Sequence, residues 1–389
     1  MPTDQTPGVY IEEIGSSSRP IEGVATSITA FIGETQTGSE HENIPTMVTS
    51  SGEFITKFGY YTDTAPYMAA AVMSFFLNGG SRAYIVKTPD STDASIIGST
   101  HATGLTSLVD IDEVAIVTVP GITTPLVIEA LIAHCELLKD RIAILDAAEN
   151  TTSVPDFIDP AAGYINDVVS RNGFAALYTP WYKSAVEYID TADNNTIKTK
   201  QIFIPPSGAL AGIYARNDRE RGVHKAPANI QVRGALALKV NYSGREQALL
   251  NPKGINCIRE FPGRGILVWG ARTMASDPLW KYVSVRRLLI FLEISIYEGT
   301  KWVLFEANTQ VLWAKVRQSI ENFLMQQWRN GALMGSRPRD AFFVRCGYPD
   351  TMTQEDITNG RLICEVGVAT MRPAEFIFFR ISQRTTVSA

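Results

Sequence analysis

The first apolar run along the chain alternates in character. In Pro7-Gly8-Val9-Tyr10-Ile11-Glu12-Glu13-Ile14, Val9 and Ile11 share one face while Tyr10 and Glu12 share the other, which predicts a turn and then a short strand. A polar spacer from Gly15 to Arg19 follows, and Ile28 to Gly33 reads as a first buried strand. From there to about residue 200, helix and strand alternate. Thr64 and Pro66 open a helix through Phe76 that Gly79 closes. Arg82–Lys87, Val114–Val119, Ile142–Asp146 and Phe174–Thr179 read as strands, with a helix from Pro125 to Lys139 between the second and third. Continuous apolar strands separated by helices predict a mainly parallel α/β layer. Thr191–Lys200, rich in Asp and Asn, reads as an exposed loop or boundary.

The second half has another texture. Pro205-Pro206-Ser207-Gly208 opens a stretch rich in Gly, Arg and Asn that reaches about Asn256. Ile266–Gly270 predicts a strand, and Val285–Tyr297 is apolar enough for a buried helix. Asn308 can cap a further helix to Asn330, with Trp313, Val316, Ile320, Leu324 and Trp328 on one face and Gly331 as its stop. The chain then ends on a long alternating segment. Ile377, Phe379 and Ile381 lie on one face, and Phe376, Phe378, Arg380 and Ser382 on the other.

Both ends are therefore apolar and strand-forming, whereas termini are usually frayed and polar unless tied down. An unpaired strand exposes rows of backbone donors and acceptors that invite another chain. The candidate intersubunit residues are Val9, Tyr10, Ile11 and Glu12 at one end, and Phe376, Ile377, Phe378, Phe379, Arg380 and Ile381 at the other. The residues alone leave two outcomes open: closure within one subunit, or exchange with neighbours by β-augmentation.

Composition adds two constraints. At 389 residues the chain is long enough for two or three domains, and its 45% hydrophobic and 19% charged content is that of a soluble globular protein. Met1–Gly8 shows no basic and then apolar leader, so synthesis in a cytosol without a signal peptide is expected, with no direct membrane insertion. The net charge of −5 conceals an asymmetry: residues 1–200 carry 25 acidic against 10 basic side chains, and residues 201–389 carry 15 against 25. Such a chain suits layered self-association or a basic half facing an acidic partner, though two unrelated domains would look the same.

Catalytic chemistry finds no anchor. No Gly precedes Lys and Ser or Thr at phosphate-loop spacing, and Gly263-Arg264-Gly265 precedes a strand where a dinucleotide turn should follow one. Gly79-Gly80-Ser81-Arg82-Ala83 sits between helix and strand, the reverse of a nucleophile elbow. Cys135, Cys257, Cys346 and Cys364 form no CxxC pair and read as free thiols, and His41, His101, His134 and His224 are dispersed. The Arg216, Arg219, Arg221 and Lys225 run is interleaved with Asp218 and Glu220, which favours contact with protein over nucleic acid. No catalytic, cofactor or metal site is assigned.

Several segments, in order, resemble the contractile tail sheath family of myophage tails and extracellular contractile injection systems. Thr6–Glu13 is similar to that family's N-terminal arm. Pro205–Tyr214 followed by Glu220–Asn229 is the most specific stretch. Asn251–Asn256, Gly270–Thr273, Val285–Leu288, Gly360-Arg361 and Arg372–Ile377 follow in sequence. The resemblance implies an α/β chain, α+β overall. Its sheath core would be built from the N-terminal arm (residues 1–35) and the C-terminal half (205–389), with an outer, variable α/β domain (36–204) inserted between them. The C-terminal β arm would span about 374–389.

The resemblance further implies a non-enzymatic subunit that stacks in hexameric rings around an inner tube, its arms completing small sheets on neighbouring copies. Contraction then drives the tube through a target membrane. Expected partners are other copies, the tube protein, baseplate and terminal cap proteins, and possible sister sheath proteins, but no nucleic acid and no cofactor. Arg216, Arg219, Arg221, Lys225, Arg286 and Arg287 are the candidate tube- or neighbour-contact residues. An α/β nucleotide-binding enzyme is the competing reading, carried only by the alternation of residues 80–180. A nucleic-acid filament protein is a third.

Overall fold

The computed structural model describes residues 19–36, 40–99, 102–158, 170–190 and 192–375. It divides into two compact units, one of residues 24–293 with 370–389 and the other of residues 1–23 with 294–369. Each is described by itself.

The larger unit is built on a nine-stranded sheet. In chain order its elements are β1 (Thr29–Gly33), β2 (Thr46–Val48), α1 (Ser51–Phe58), α2 (Pro66–Asn78), β3 (Ala83–Lys87), α3 (Asp93–Ile97), β4 (Ile116–Thr118), α4 (Pro125–Leu138), β5 (Ile142–Asp146), α5 (Val154–Ile158), β6 (Ala175–Thr179), β7 (Tyr182–Asp190), β8 (Thr196–Ile204), α6 (Ser207–Arg221), β9 (Ile230–Gln231), β10 (Ala237–Leu238), α7 (Gly244–Leu250), β11 (Ile255–Phe261) and β12 (Gly265–Val268). The spatial order is β2-β3-β1-β4-β5-β6-β11-β12-β9. Strands β3, β1, β4, β5, β6 and β11 run parallel, while β2 at one end and β12 and β9 at the other are antiparallel. Every residue of β1, β5 and β6 is buried, as a parallel sheet covered on both faces requires. The sheet draws strands from both sides of positions 204–205, with β1 to β6 before them and β9, β11 and β12 after.

Three local readings need correction. Residues 191–200 are not all loop: β7 and β8 pair antiparallel from Tyr182↔Ile204 to Asp190↔Thr196. The Asp and Asn cluster belongs only to the turn, where Asn194 and Asn195 take positive φ of 48° and 56°. The first long helix is capped at Ala65, whose N–H bonds the Thr62 hydroxyl (3.1 Å), so Thr64 is not its cap. Asn308 is likewise not a cap. Its Oδ1 accepts from Trp313 Nε1 (2.6 Å), and Thr309 holds the cap position.

The Gly- and Arg-rich stretch after Pro206 contains the largest surprise, a helix buried along Ser207–Asn217. Glycine lowers helix propensity, but here it permits contact. α6 lies so close on α2 that a Cβ on Gly208 would sit 2.3 Å from the Ala71 carbonyl oxygen, and one on Gly212 would sit 2.3 Å from that of Phe75. The start of α6 is tied to the end of β5: Asp146 accepts from Ser207 N (2.7 Å), Ser207 Oγ (2.7 Å) and Gly121 N (3.1 Å). Buried hydroxyls elsewhere pair with each other, Tyr178 with Tyr214 (2.7 Å) and Ser74 with Tyr182 (2.6 Å).

The smaller unit contains the end of α8 (Val283–Thr300), which begins in the sheet unit, then α9 (Gln310–Arg329), α10 (Pro338–Ala341), β13 (Phe342–Cys346), α11 (Gln354–Thr358) and β14 (Cys364–Val368). β13 and β14 form a two-stranded antiparallel sheet. α9 packs on β13 and buries Leu312, Trp313, Val316, Ile320, Phe323 and Leu324, with Gly331 just beyond it at φ 76°.

Gly208→Ala and Gly212→Ala are each expected to lower unfolding stability by about 1–3 kcal/mol, read as a shift in urea midpoint; an unmoved midpoint would contradict the close α2–α6 contact. Burial pushes Asp146 up from 3.8 to about 6, outweighing its three hydrogen-bond donors. The folded chain therefore holds this proton more tightly than the unfolded chain. Stability should fall as pH rises from about 4 to about 6 and then level, by about 3 kcal/mol from this group. Asp146→Asn should flatten that slope in denaturant titrations across the same range, and an unchanged slope would assign it elsewhere.

Candidate functional site

The two-stranded sheet has an unusual status. Isolated two-stranded sheets are marginal in water, and among the described residues no further strand pairs with β13 or β14. The register runs from Phe342↔Val368 to Cys346↔Cys364. Ala369 N donates to Ala341 O (2.8 Å), which fixes the alternation of bonded and non-bonded pairs. It follows that the backbone groups of Val344 and Cys346 on one strand, and of Cys364, Val366 and Val368 on the other, point away from the pair, as do those of Phe342, whose N–H is taken by Pro338 O. These are two open edges, each able to accept a strand.

The side chains hold this sheet without closing it. Val344 and Cys346 are buried on the face that α9 covers. On the other face Phe343 lies against Gly367, where a Cβ would be 2.2 Å from its ring. The Arg345 guanidinium sits 5.0 Å from the Phe343 ring and 3.7 Å from Glu365. Phe343 is nonetheless 44% exposed and Val366 36%. Phe343 is thus exposed on the face away from α9, beside the Arg345–Glu365 pair, while Val366 shares the α9 face with Val344.

The larger unit carries a second feature, at the root of the C-terminal segment. Glu375 is gripped by the buried Arg272, whose Nε donates to Oε1 (2.8 Å) and Nη2 to Oε2 (2.5 Å). Arg272 Nη1 also donates to Asn251 O (2.9 Å), and Tyr282 donates to Glu375 Oε2 (3.3 Å). Asn256 holds the arginine's own backbone: its Oδ1 accepts from Arg272 N (2.7 Å) and its Nδ2 donates to Arg272 O (2.7 Å) and Leu177 O (3.0 Å). A Cβ on Gly270 would meet Asn256 Oδ1 at 2.8 Å. Burial acts to raise the Glu375 carboxyl, but the Arg272 bonds and charge outweigh it and leave it below the usual range. A bidentate arginine–carboxylate pair fixes direction as well as position. The clamp therefore fixes Glu375 on the larger unit.

Val9, Tyr10, Ile11 and Glu12, and Phe376, Ile377, Phe378, Phe379, Arg380 and Ile381, lie outside the described residues.

The basic candidates divide. Three of them are corrected from surface contacts to internal ones. Arg216 is buried and donates to Gln231 O (2.8 Å). Arg286 is buried over the Trp280 and Phe174 rings (3.5 and 4.3 Å) and donates to Asn172 O (2.8 Å). Arg287 is buried and grips Asp218 through both terminal nitrogens (2.8 and 2.6 Å) while donating to Thr26 O (2.7 Å). Guanidinium groups form such buried, stacked pairs readily, and sequence alone does not distinguish them from surface charge. Arg219 and Arg221 are exposed. Lys225 is half-buried in a groove of about 580 Å³ shared with Asn229, Trp269 and Glu375.

Among the described residues no group of three or more His, Cys, Asp or Glu can hold a metal. His134 is pushed down to about 4 by burial and by the Arg141 cation, which is itself spent on Leu108 O and Ile111 O (2.8 and 3.0 Å). No described helix is long and apolar enough to cross a membrane.

Open strand edges are a feature of proteins that pair with further chains. Residues 95–274 match the phage tail sheath protein central domain and residues 275–384 the phage tail sheath C-terminal domain. The chain belongs to the phage tail sheath family. It is 23% identical to a prophage major tail sheath protein of Pseudomonas aeruginosa (strain UCBPP-PA14), over 96% of this chain and 95% of that one. It is also similar to the sheath of an extracellular contractile injection system, the PVC sheath complex in its contracted state, at 32% identity and a TM-score of 0.80 over 99% of both chains. To the helical sheath of the anti-feeding prophage in its contracted state it is 31% identical with a TM-score of 0.77, over 98% of this chain and all of that one.

Sequence reasoning placed Arg272 and Glu375 inside family-like segments without giving them a role. They are 103 residues apart, and nothing local links them. Arg272→Ala is expected to cost about 1–3 kcal/mol, the loss of one partner of a half-buried charged pair, and Arg272→Lys to recover only part of it. A chemical denaturation series checks both, and equal stability of all three chains would remove the clamp from the structure's supports.

Proposed function

We propose that this sheath subunit polymerises as stacked hexameric rings around an inner tube and contracts to drive that tube through a target membrane. The observation that carries the proposal is the two-stranded β13–β14 sheet with both edges open. The family is one of contractile sheath proteins, structural in role, and the similar solved structures include sheath and baseplate assemblies.

In this reading the N-terminal arm around Val9–Glu12 of one neighbour and the C-terminal arm around Phe376–Ile381 of another each add a strand to β13 or β14. Main-chain hydrogen bonds supply the hold, and Phe343 on one face and Val366 on the other supply apolar neighbours for an added strand. The Arg272–Glu375 clamp fixes the direction in which the C-terminal arm leaves its own subunit. The arms can then stay engaged while the subunits repack between two arrangements. Residues 36–204 form the outer part and residues 205–389 the inner part, with the surplus of basic residues turned toward the tube. Arg219, Arg221 and Lys225 are the tube- or neighbour-contact candidates that remain. Baseplate and cap proteins bound the cylinder at its ends, and assembly occurs in a phage tail or a released extracellular particle.

Deletion of residues 1–14, or of 376–389, is expected to leave a folded chain that forms no cylinders by negative-stain microscopy, where the intact chain with its tube forms long ones. A finer variant acts on one edge alone. Val366 has its N–H on the outer side of β14, so Val366→Pro removes one edge donor while sparing the β13–β14 ladder. It should fold by circular dichroism yet fail to elongate; normal cylinders from any of these three chains would overturn the arm mechanism.

A further inference from the structure

We propose that Cys346 and Cys364 form a dithiol site that closes to a cross-strand disulfide on meeting a low-molecular-weight disulfide. The two residues face one another at the end of the β13–β14 ladder. The alternation set by the Ala369 N to Ala341 O bond makes them a non-bonded pair. In such pairs the Cα atoms lie about 4.5 Å apart with side chains on one face, inside the roughly 4.4–6.8 Å span a disulfide accepts. The cysteines are free thiols, Cys346 buried and Cys364 partly open to solvent.

Their surroundings match this chemistry. The Cys364 thiol hydrogen-bonds to the Cys346 sulfur, which with the nearby Arg317 cation holds Cys346 below its ordinary value despite burial. Cys364 is raised, because its proton is held in that bond and by burial. One sulfur is thus disposed toward the thiolate and the other waits in contact with it. Cys135 and Cys257 differ: burial pushes both up to about 12, and they lie on α4 and β11, elements that do not face each other in the sheet order.

The step balances without a metal or cofactor. The Cys346 thiolate attacks one sulfur of a disulfide RSSR, breaking the S–S bond, forming a mixed disulfide and releasing RS⁻. Cys364 gives up its proton and attacks the Cys346 sulfur, expelling the second RS⁻. Both thiolates leave as RSH once protonated, so the protein pair loses two electrons and RSSR gains them. A reducing cytosol keeps the pair open, and a particle that has left it would close it. Closure would pin the strand register of the open sheet. That consequence rests on the arm-acceptor reading, whereas the cross-link itself needs only the two strands.

Trypsin separates the two cysteines into peptides 346–361 and 362–380. The full chain, reduced, freed of reductant and kept folded, is incubated with oxidised glutathione, alkylated and digested without reduction. The expected product is a linked pair of these peptides, lighter by two hydrogens, that reduction separates and that is lost in Cys346→Ser and in Cys364→Ser. Recovery of both peptides alkylated, or only as separate glutathione adducts, from a chain still folded by circular dichroism would overturn the proposal. The assay is independent of sheath assembly, which microscopy reads separately, so failure of one does not imply failure of the other.

Discussion

Two antiparallel strands satisfy only the peptide groups that face each other, and the outer rows need water or another strand. Among the described residues no further strand pairs with β13 or β14, and the Phe342 N–H on the outer row of β13 is taken by Pro338 O. Everything distinctive about the protein follows from keeping this pair folded but unfinished. α9 supplies Trp313, Val316 and Ile320 as a floor, and Arg345 and Glu365 keep charge at the rim.

The sheet-centred unit solves a different problem. Parallel α/β sheets commonly bind ligands in the crevice beyond the C-terminal ends of their strands. Here the end of β5 is occupied by the protein itself, since Asp146 is taken by Ser207 and Gly121 and α6 packs against β4 and β5. The crevice beyond the end of β5 is therefore filled by the chain itself. Its buried charges, Arg287 with Asp218 and Arg272 with Glu375, join distant parts of the chain rigidly. Such pairs favour one arrangement over many more than they add stability. A subunit that must transmit displacement benefits from that.

Much of the architecture was legible because burial on both faces writes a simple signal. The strands at Thr29–Gly33, Ala83–Lys87, Ile142–Asp146 and Ala175–Thr179 stand out as unbroken apolar runs, and the Trp313–Leu324 stripe as a helical one. α6 was not legible. Its sequence is polar and glycine-rich, and only the contact with α2 explains Gly208 and Gly212. The β7–β8 hairpin was missed because β8 is exposed or half-exposed along most of its length and its first six residues, Thr196–Gln201, carry only Ile197 as an apolar side chain. The site was legible as motif but not as geometry. Arg272 and Glu375 belong to separate segments that only the fold brings together, and burial of Arg216, Arg286 and Arg287 depends on partners 15 to 261 residues away.

The most direct measurement is a helical reconstruction of the assembled sheath at a resolution where individual strands are traced. The expected result is a four-stranded sheet at β13–β14, its two outer strands contributed by the arms of two other copies. A sheet that stays two-stranded in the cylinder, or is completed by the same copy's own termini, would contradict the assembly mechanism at its origin.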